Sequence, residues 1–184
     1  MTKVLLPVKN AEVRLLLKSR PSFLADAMLG SIARKLRIFG FDTLYIAHID
    51  DDDILKIAVE QDRIILTCDR DLFKRVLKKR AKGVLLESNN DIENIAHILA
   101  KNAVSSLNFN KEYSRCPICN GLMIRKKATE IQDCIVHLSV IESHKDFFQC
   151  TVCSKVYWEG SHSTRIIHLA KNIDNKIKQQ FKYR

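Results

Sequence analysis

Arg63-Ile64-Ile65-Leu66-Thr67-Cys68-Asp69-Arg70-Asp71 sets three adjacent aliphatic side chains ahead of a pair of aspartates. An unbroken aliphatic run this short reads as a strand buried on both faces. The residues after Asp69 change period: Leu72, Phe73, Val76 and Leu77 recur at helical spacing and are expected to face inward. The stretch is therefore a strand, an acidic turn and a helix.

The same unit repeats on either side. Upstream, Phe23-Leu24-Ala25 is a short apolar strand ending at Asp26, and the helix after it places Leu29, Ile32, Ala33 and Leu36 on one stripe until Gly40 stops it. Thr43 to Ile46 reads as the next strand; Asp50 to Asp53 then introduces a helix with Ile54, Leu55, Ile57 and Ala58 inside. Downstream, Gly83 to Leu86 is a fourth strand, followed by a helix marked by Ile92, Ile95, Ala96 and Leu99. Four strand–helix alternations predict an α/β fold with a mostly parallel sheet and helices on its faces. The boundaries expected are an N-terminal extension over 1–21, the α/β domain over 22–104, a polar linker over 105–115, a cysteine unit over 116–163 and a basic C-terminal helix over 164–184.

Across 184 residues, 31 Lys and Arg stand against 21 Asp and Glu, a formal charge of +10. Such an excess attracts polyanions over about a Debye length, and nucleic acid is the commonest one; solubility alone is the plainer explanation. No apolar run approaches the roughly 18 residues of a membrane span, and Met1 to Leu6 is too short an apolar stretch for a secretory signal. A cytoplasmic protein without a membrane partner is expected.

Of the six cysteines, four form two Cys-x-x-Cys pairs: Cys116-Pro-Ile-Cys119-Asn120-Gly121 and Cys150-Thr-Val-Cys153-Ser154-Lys155. Two intervening residues let both thiolates of a pair face one ion, and Gly121 is expected to supply the freedom the turn needs. The 30 residues between the pairs exceed the usual ~15–20 and leave room for a hairpin or a helix. One structural zinc per chain, held by Cys116, Cys119, Cys150 and Cys153, follows; a redox pair would need only one Cys-x-x-Cys at a helix start. His137, His144 and His162 are substitutes of lower rank, and Cys68 and Cys134 are expected as buried small hydrophobes.

The chemistry falls to the aspartates. Asp26, the run Asp51-Asp52-Asp53, and Asp69 with Asp71 all follow strands, whose carboxyl ends share one edge of a parallel sheet. Carboxylates crowded there repel one another unless a cation intervenes, and hard oxygen ligands suit Mg²⁺ or Mn²⁺. Each aspartate also has a plainer reading, since Asp26, Asp51 and Asp69 precede helices, where Asp is a favoured N-cap. Arg34, Lys35 and Arg37 lie off the apolar stripe of the first helix, facing either solvent or a phosphate backbone.

Phe23-Leu24-Ala25-Asp26-Ala27-Met28-Leu29-Gly30, Ala33-Arg34-Lys35-Leu36-Arg37, Gly40-Phe41-Asp42-Thr43 and Arg63 to Asp71 resemble, in order, the Mut-seven C-terminal RNase-like family, a branch of the PIN-domain nucleases. Arg115 to Gly121 and Val156 to His162 resemble that family's zinc-ribbon half, so the likeness spans about residues 22–165. It implies a PIN-like three-layer fold, followed by a small zinc ribbon, and Mg²⁺- or Mn²⁺-dependent hydrolysis of RNA phosphodiesters. Carried over, Asp26 and Asp69 are metal ligands with Asp51 as the third, Asp52 shares the second acidic position, and Asp71 is auxiliary. Thr67, placed to hydrogen-bond a ligand carboxylate or a phosphate, and Arg70 join Arg34, Lys35 and Arg37 as expected substrate contacts; Cys68 stands where the family usually has Arg. A homodimer is compatible with the resemblance.

The ribbon's Arg125, Lys126 and Lys127, and Lys171, Lys176, Lys178 and Lys182 of the tail, would extend an RNA track, with Tyr157 and Trp158 stacking on bases or packing on the knuckles. The rival from another class is a non-catalytic RNA-binding or adaptor protein whose aspartates only cap helices. A phosphatase of the haloacid-dehalogenase type ranks below both, because its Asp-x-Asp normally comes early in the chain with a Thr shortly after.

Overall fold

The computed structural model describes residues 20–131 and 136–182. The extension up to residue 19, Cys134 and the side chain of His162 lie outside the described residues. The first unit alternates β1 (Phe23–Ala25), α1 (Gly30–Ile38), β2 (Thr43–Tyr45), α2 (Asp51–Glu60), β3 (Ile64–Thr67), α3 (Arg70–Lys78), β4 (Gly83–Leu85) and α4 (Asp91–Lys101). All pairings in its sheet are parallel, in the order β2-β1-β3-β4.

The period-2 geometry of a strand explains why this sheet must be covered twice. Phe23 and Ala25 of β1, with Ile64 and Leu66 of β3, share one apolar cluster with α1 and α4; Leu24 and Ile65 face the opposite cluster, with Ile54, Leu55 and Ala58 of α2 and Leu72 and Val76 of α3. Each of these fully buried large side chains contributes on the order of 1.5–3 kcal/mol relative to an exposed one. Two expectations are corrected here. Leu77 is exposed, because the inward stripe of α3 is carried by Leu72 and Val76. Cys68 is exposed too, since β3 ends at Thr67 and the chain turns outward there.

Order β2-β1-β3 means that the chain leaves β1 in one direction to reach β2 and later crosses to the other side to build β3 and β4. The switch point lies between β1 and β3, and ligands of open α/β sheets bind outside the carboxyl ends at such a point.

The second sheet is antiparallel, β5 (Met123–Lys127), β6 (Asp146–Cys150) and β7 (Val156–Trp158) in that order, with a one-turn-and-a-half helix α5 (Leu138–Ser143) between β5 and β6. Its own small cluster centres on Phe147 with Ile131 and Val136. The last helix, α6 (Ser161–Lys182), returns to the first unit and packs Ala170, Ile173 and Ile177 into the main core beside α4. Asp174 fastens it to the connecting segment by accepting from Ser106 Oγ and the Leu107 amide, both at 2.8 Å. None of the described helices is long and apolar enough to cross a membrane.

Candidate functional site

Two clusters of chemically capable side chains lie at opposite edges of the parallel sheet. α1 runs antiparallel to the strands, so Gly30 sits at the carboxyl rim and Arg37 near the amino edge, on the order of 10 Å apart along the helix.

At the rim, β1 ends in Asp26 and β3 in Thr67. Thr67 is fully buried, and its hydroxyl donates to Asp26 Oδ2 at 2.8 Å while accepting from the Asp69 amide at 2.9 Å. The second Asp26 oxygen accepts from the Ala27 amide. Asp69 caps α3: its Oδ1 accepts from the amides of Asp71 at 2.7 Å and Leu72 at 3.1 Å. Asp26 and Asp69 thus flank the switch point, and one hydroxyl ties them together. Both keep lone pairs for a further partner. The exposed Cys68 stands beside them, its thiol pushed up by partial burial and by Asp26.

The acidic run behaves differently. Arg75 of α3 reaches across to α2 and donates to Asp51 Oδ2 at 2.9 Å and to Asp52 Oδ1. Asp52 and Asp71 are almost wholly exposed, and Asp71 pairs with Lys74 at 2.8 Å, which holds its carboxyl below the usual range. Among the described residues, only the four cysteines bring three or more ligand atoms within 4.8 Å of one another. Asp26, Asp51 and Asp69 share the rim without converging into a three-carboxylate cage. Mg²⁺ commonly takes one or two carboxylates and keeps its waters, so Asp26 and Asp69 are a donor set of suitable kind, with Asp51 engaged by Arg75.

The basic candidates divide. Arg34 is exposed on α1; Lys35 is taken up by Asp91 at 2.6 Å and Ser31 at 2.7 Å; Arg70 pairs with Glu87 at 2.8 Å on the surface. The expectation that Arg37 lies on an open helix face is corrected. It is 4% exposed, donating from Nε to Thr43 O at 2.8 Å and from Nη1 to the carbonyls of Pro117 and Ile118 at 3.0 Å each. Burial pushes its guanidinium down, opposed by Cys116 and Cys119. Arg75, absent from the sequence expectations, carries no motif signal; only its place one turn after Asp71 hints at the rim.

At the other edge stand the cysteines. Sγ of Cys116 lies 3.6 Å from that of Cys153, and Cys119 3.3 Å from Cys150, too far for disulfides and close to the ~3.8 Å edge of a tetrahedron with Zn–S bonds of ~2.3 Å. Each knuckle closes alike: the Asn120 amide donates to Cys116 O at 2.9 Å, the Ser154 amide to Cys150 O at 3.2 Å. Asn120 (φ +66°) and Ser154 (φ +58°) adopt the left-handed conformation, so the expectation that Gly121 supplies it is corrected. A Cβ on Gly121 would meet Cys150 Sγ at 2.7 Å; what the glycine provides is space.

The sulfurs are electrostatically unequal. Burial opposes ionisation of Cys116, yet the Tyr157 hydroxyl at 3.2 Å and the amides of Cys119 and Ile118 bring its thiol down to about 6; burial pushes Cys150 up to about 12. Tyr157 is thereby bound to the knuckle, while Trp158 stays 41% exposed with its ring near His144. His137 caps α5 and His144 Nδ1 donates to Val140 O, so the described histidines leave the sulfurs to themselves. The four cysteines form a site that could bind a metal such as zinc.

A family model described as the Mut7-C RNAse domain matches residues 21–170. The chain belongs to the Mut7-C RNAse domain family. The match takes in both edges of this Mut7-C chain, from the strand that ends at Asp26 through the two knuckles and into α6. Comparison with curated proteins and with solved structures gives no match.

Proposed function

We propose that this Mut7-C chain is a metal-dependent ribonuclease that hydrolyses RNA phosphodiester bonds at the carboxyl rim, with a structural zinc at the opposite edge. The carrying observation is the Asp26–Thr67–Asp69 link across the switch point, where one buried hydroxyl fixes the Asp26 carboxylate after β1 and the backbone amide of Asp69 after β3. Asp26 and Asp69 would hold Mg²⁺ or Mn²⁺, Asp51 would join them on release from Arg75, and Asp52 and Asp71 would keep the rim anionic. A divalent ion in that position supplies a hydroxide at neutral pH and neutralises charge on the phosphate. Arg34 and Arg70, both exposed, would contact the RNA backbone, and the excess of 31 Lys and Arg over 21 Asp and Glu favours its approach.

A second reading has its own support: Asp26 accepts its neighbour's amide and Asp69 caps α3, as purely structural aspartates would. In that reading the chain binds RNA without cutting it. Labelled single-stranded and structured RNA incubated with Mn²⁺, Mg²⁺ or EDTA separates the two, with Asp26→Asn and Asp69→Asn alongside. Metal-dependent cleavage lost in both variants is the expected result. Binding that persists unchanged, with no cleavage by the wild type in any metal, would replace the nuclease with the adaptor.

A further inference from the structure

Arg37 is a buried cation whose hydrogen-bond partners are all carbonyls. Two of them, Pro117 and Ile118, are the residues between the ligands Cys116 and Cys119; the third, Thr43, begins β2. A guanidinium withdrawn from water at 4% exposure needs negative charge nearby to offset its lost hydration. The sulfurs of Cys116 and Cys119 belong to the same loop that it grips, and four thiolates around one Zn²⁺ retain net negative charge.

The rest of that loop is fastened to the same edge. The Arg115 amide donates to Arg37 O at 2.8 Å. Asn120, held in its left-handed turn, accepts from the Thr43 amide at 3.2 Å and donates to Asp42 at 2.8 Å. Asp42 in turn takes Arg63, the residue before β3, at 2.8 Å. Contacts made by residues 115–120 therefore reach α1, β2 and the approach to β3. All of them require the loop shape that the shared metal would fix.

We infer that Arg37 is the counter-charge of the zinc–thiolate centre and the strut joining it to the parallel sheet, so that zinc occupancy and the order of the sheet's amino edge are a single linked equilibrium. Linkage is reciprocal: whatever factor zinc contributes to holding this edge closed, closing the edge contributes to zinc affinity. The ribbon is then a clasp on the catalytic unit, tightened by its metal, and loss of zinc is felt at β2 without any contact between zinc and β2.

The inference rests on the cysteines holding zinc, and the zinc content of the purified full-length protein tests that separately. Two measurements then address the coupling. In the wild type, amide exchange at Thr43 is followed with zinc bound and after its removal by chelator under reducing conditions; at least a tenfold acceleration is expected, because the Asn120 acceptor leaves. In full-length Arg37→Met and Arg37→Lys, zinc affinity is measured by competition with a chromophoric chelator. Met should weaken zinc tenfold or more, and Lys less, because it keeps the charge and loses the fork that spans the carbonyls. Arg37→Met binding zinc within twofold of the wild type overturns the inference, as does Thr43 exchange indifferent to zinc. Should Arg37→Met fail to fold, the wild-type exchange experiment decides, with Asn120→Gly as the milder variant that preserves the turn and deletes the Thr43 link.

Discussion

The Thr67 hydroxyl sits 2.8 Å from Asp26 Oδ2 with no exposure to solvent, so the orientation of the carboxylate after β1 is dictated by the last residue of β3. A side chain that donates to one acid while accepting the amide of another has no apolar substitute. Thr67→Val keeps the shape and strands the Asp69 amide, which should cost ~1–3 kcal/mol of stability. If the rim is catalytic, RNA cleavage should fall more than stability explains, by tenfold or more at temperatures where the variant is folded. Thr67→Ser should restore both, as thermal unfolding and cleavage rates of the three proteins will show.

Asp69 separates capping from chemistry. Asn caps a helix as well as Asp, so Asp69→Asn should unfold within about 0.5 kcal/mol of the wild type, whereas Asp69→Ala should lose ~1 kcal/mol with the bonds to Asp71 and Leu72. Cleavage should vanish in both. An Asn variant of undiminished activity would return Asp69 to a purely structural role.

Arg75 predicts a gain. It bridges Asp51 and Asp52 at side-chain exposures of 40%, 43% and 91%, so the ion pairs themselves are worth less than ~1 kcal/mol. Arg75→Gln should leave unfolding nearly unchanged and free Asp51 for a cation. Mn²⁺ affinity, followed by titration calorimetry, should therefore rise several-fold. A weaker Mn²⁺ complex would instead make Arg75 a support of the site.

What could be read from the chain follows from how local each signal is. Ile64-Ile65-Leu66 is aliphatic without alternation because both faces of β3 are covered, and that pattern, repeated between helical stretches, points to a parallel sheet. The knuckles were legible for the same reason: ligand spacing is a property of six residues. The burial of Arg37 is not legible locally because two of its three partners lie about eighty residues on, in a unit whose docking leaves no mark on the periodicity of α1. The link between Arg75 and the acidic run depends on α2 and α3 lying side by side, which only the sheet order reveals. Gly121 reads in the sequence as backbone freedom because a glycine advertises φ, whereas its crowding by Cys150 depends on the second knuckle.

Acid should loosen the amino edge. Burial alone would raise the Asp42 carboxyl, but bonds from Arg63 and Asn120 and the charge of Arg115 outweigh it and hold the group below the ordinary range. A carboxyl depressed in the folded state stabilises the protein above its unfolded pKa of about 3.9, and that contribution disappears as pH falls through the folded value. Asp91 beside Lys35 and Asp174 beside Lys178 are lowered as well and act in the same direction. Thermal stability should hold near pH 5 and decline below pH ~4. Asp42→Asn should be less stable at neutral pH and show a shallower acid decline; an unaltered slope would remove Asp42 from the account.

Gly121 offers a steric test of the cysteine site that is independent of charge. Its backbone is not among those in the left-handed region, so Ala carries no penalty of φ. The methyl group would nevertheless lie 2.7 Å from Cys150 Sγ and 2.9 Å from a Val152 methyl carbon. Val152 is 70% exposed and its methyl carbon can rotate away, leaving a tight contact with its Cβ at 3.0 Å, but a sulfur committed to a metal cannot move. The clash must therefore be relieved by moving Cys150 out of the tetrahedron. Gly121→Ala should bind zinc at least tenfold more weakly than the wild type while all six cysteines still titrate as free thiols under reducing conditions. Wild-type zinc affinity in this variant would mean that Cys150 is not held where a metal needs it.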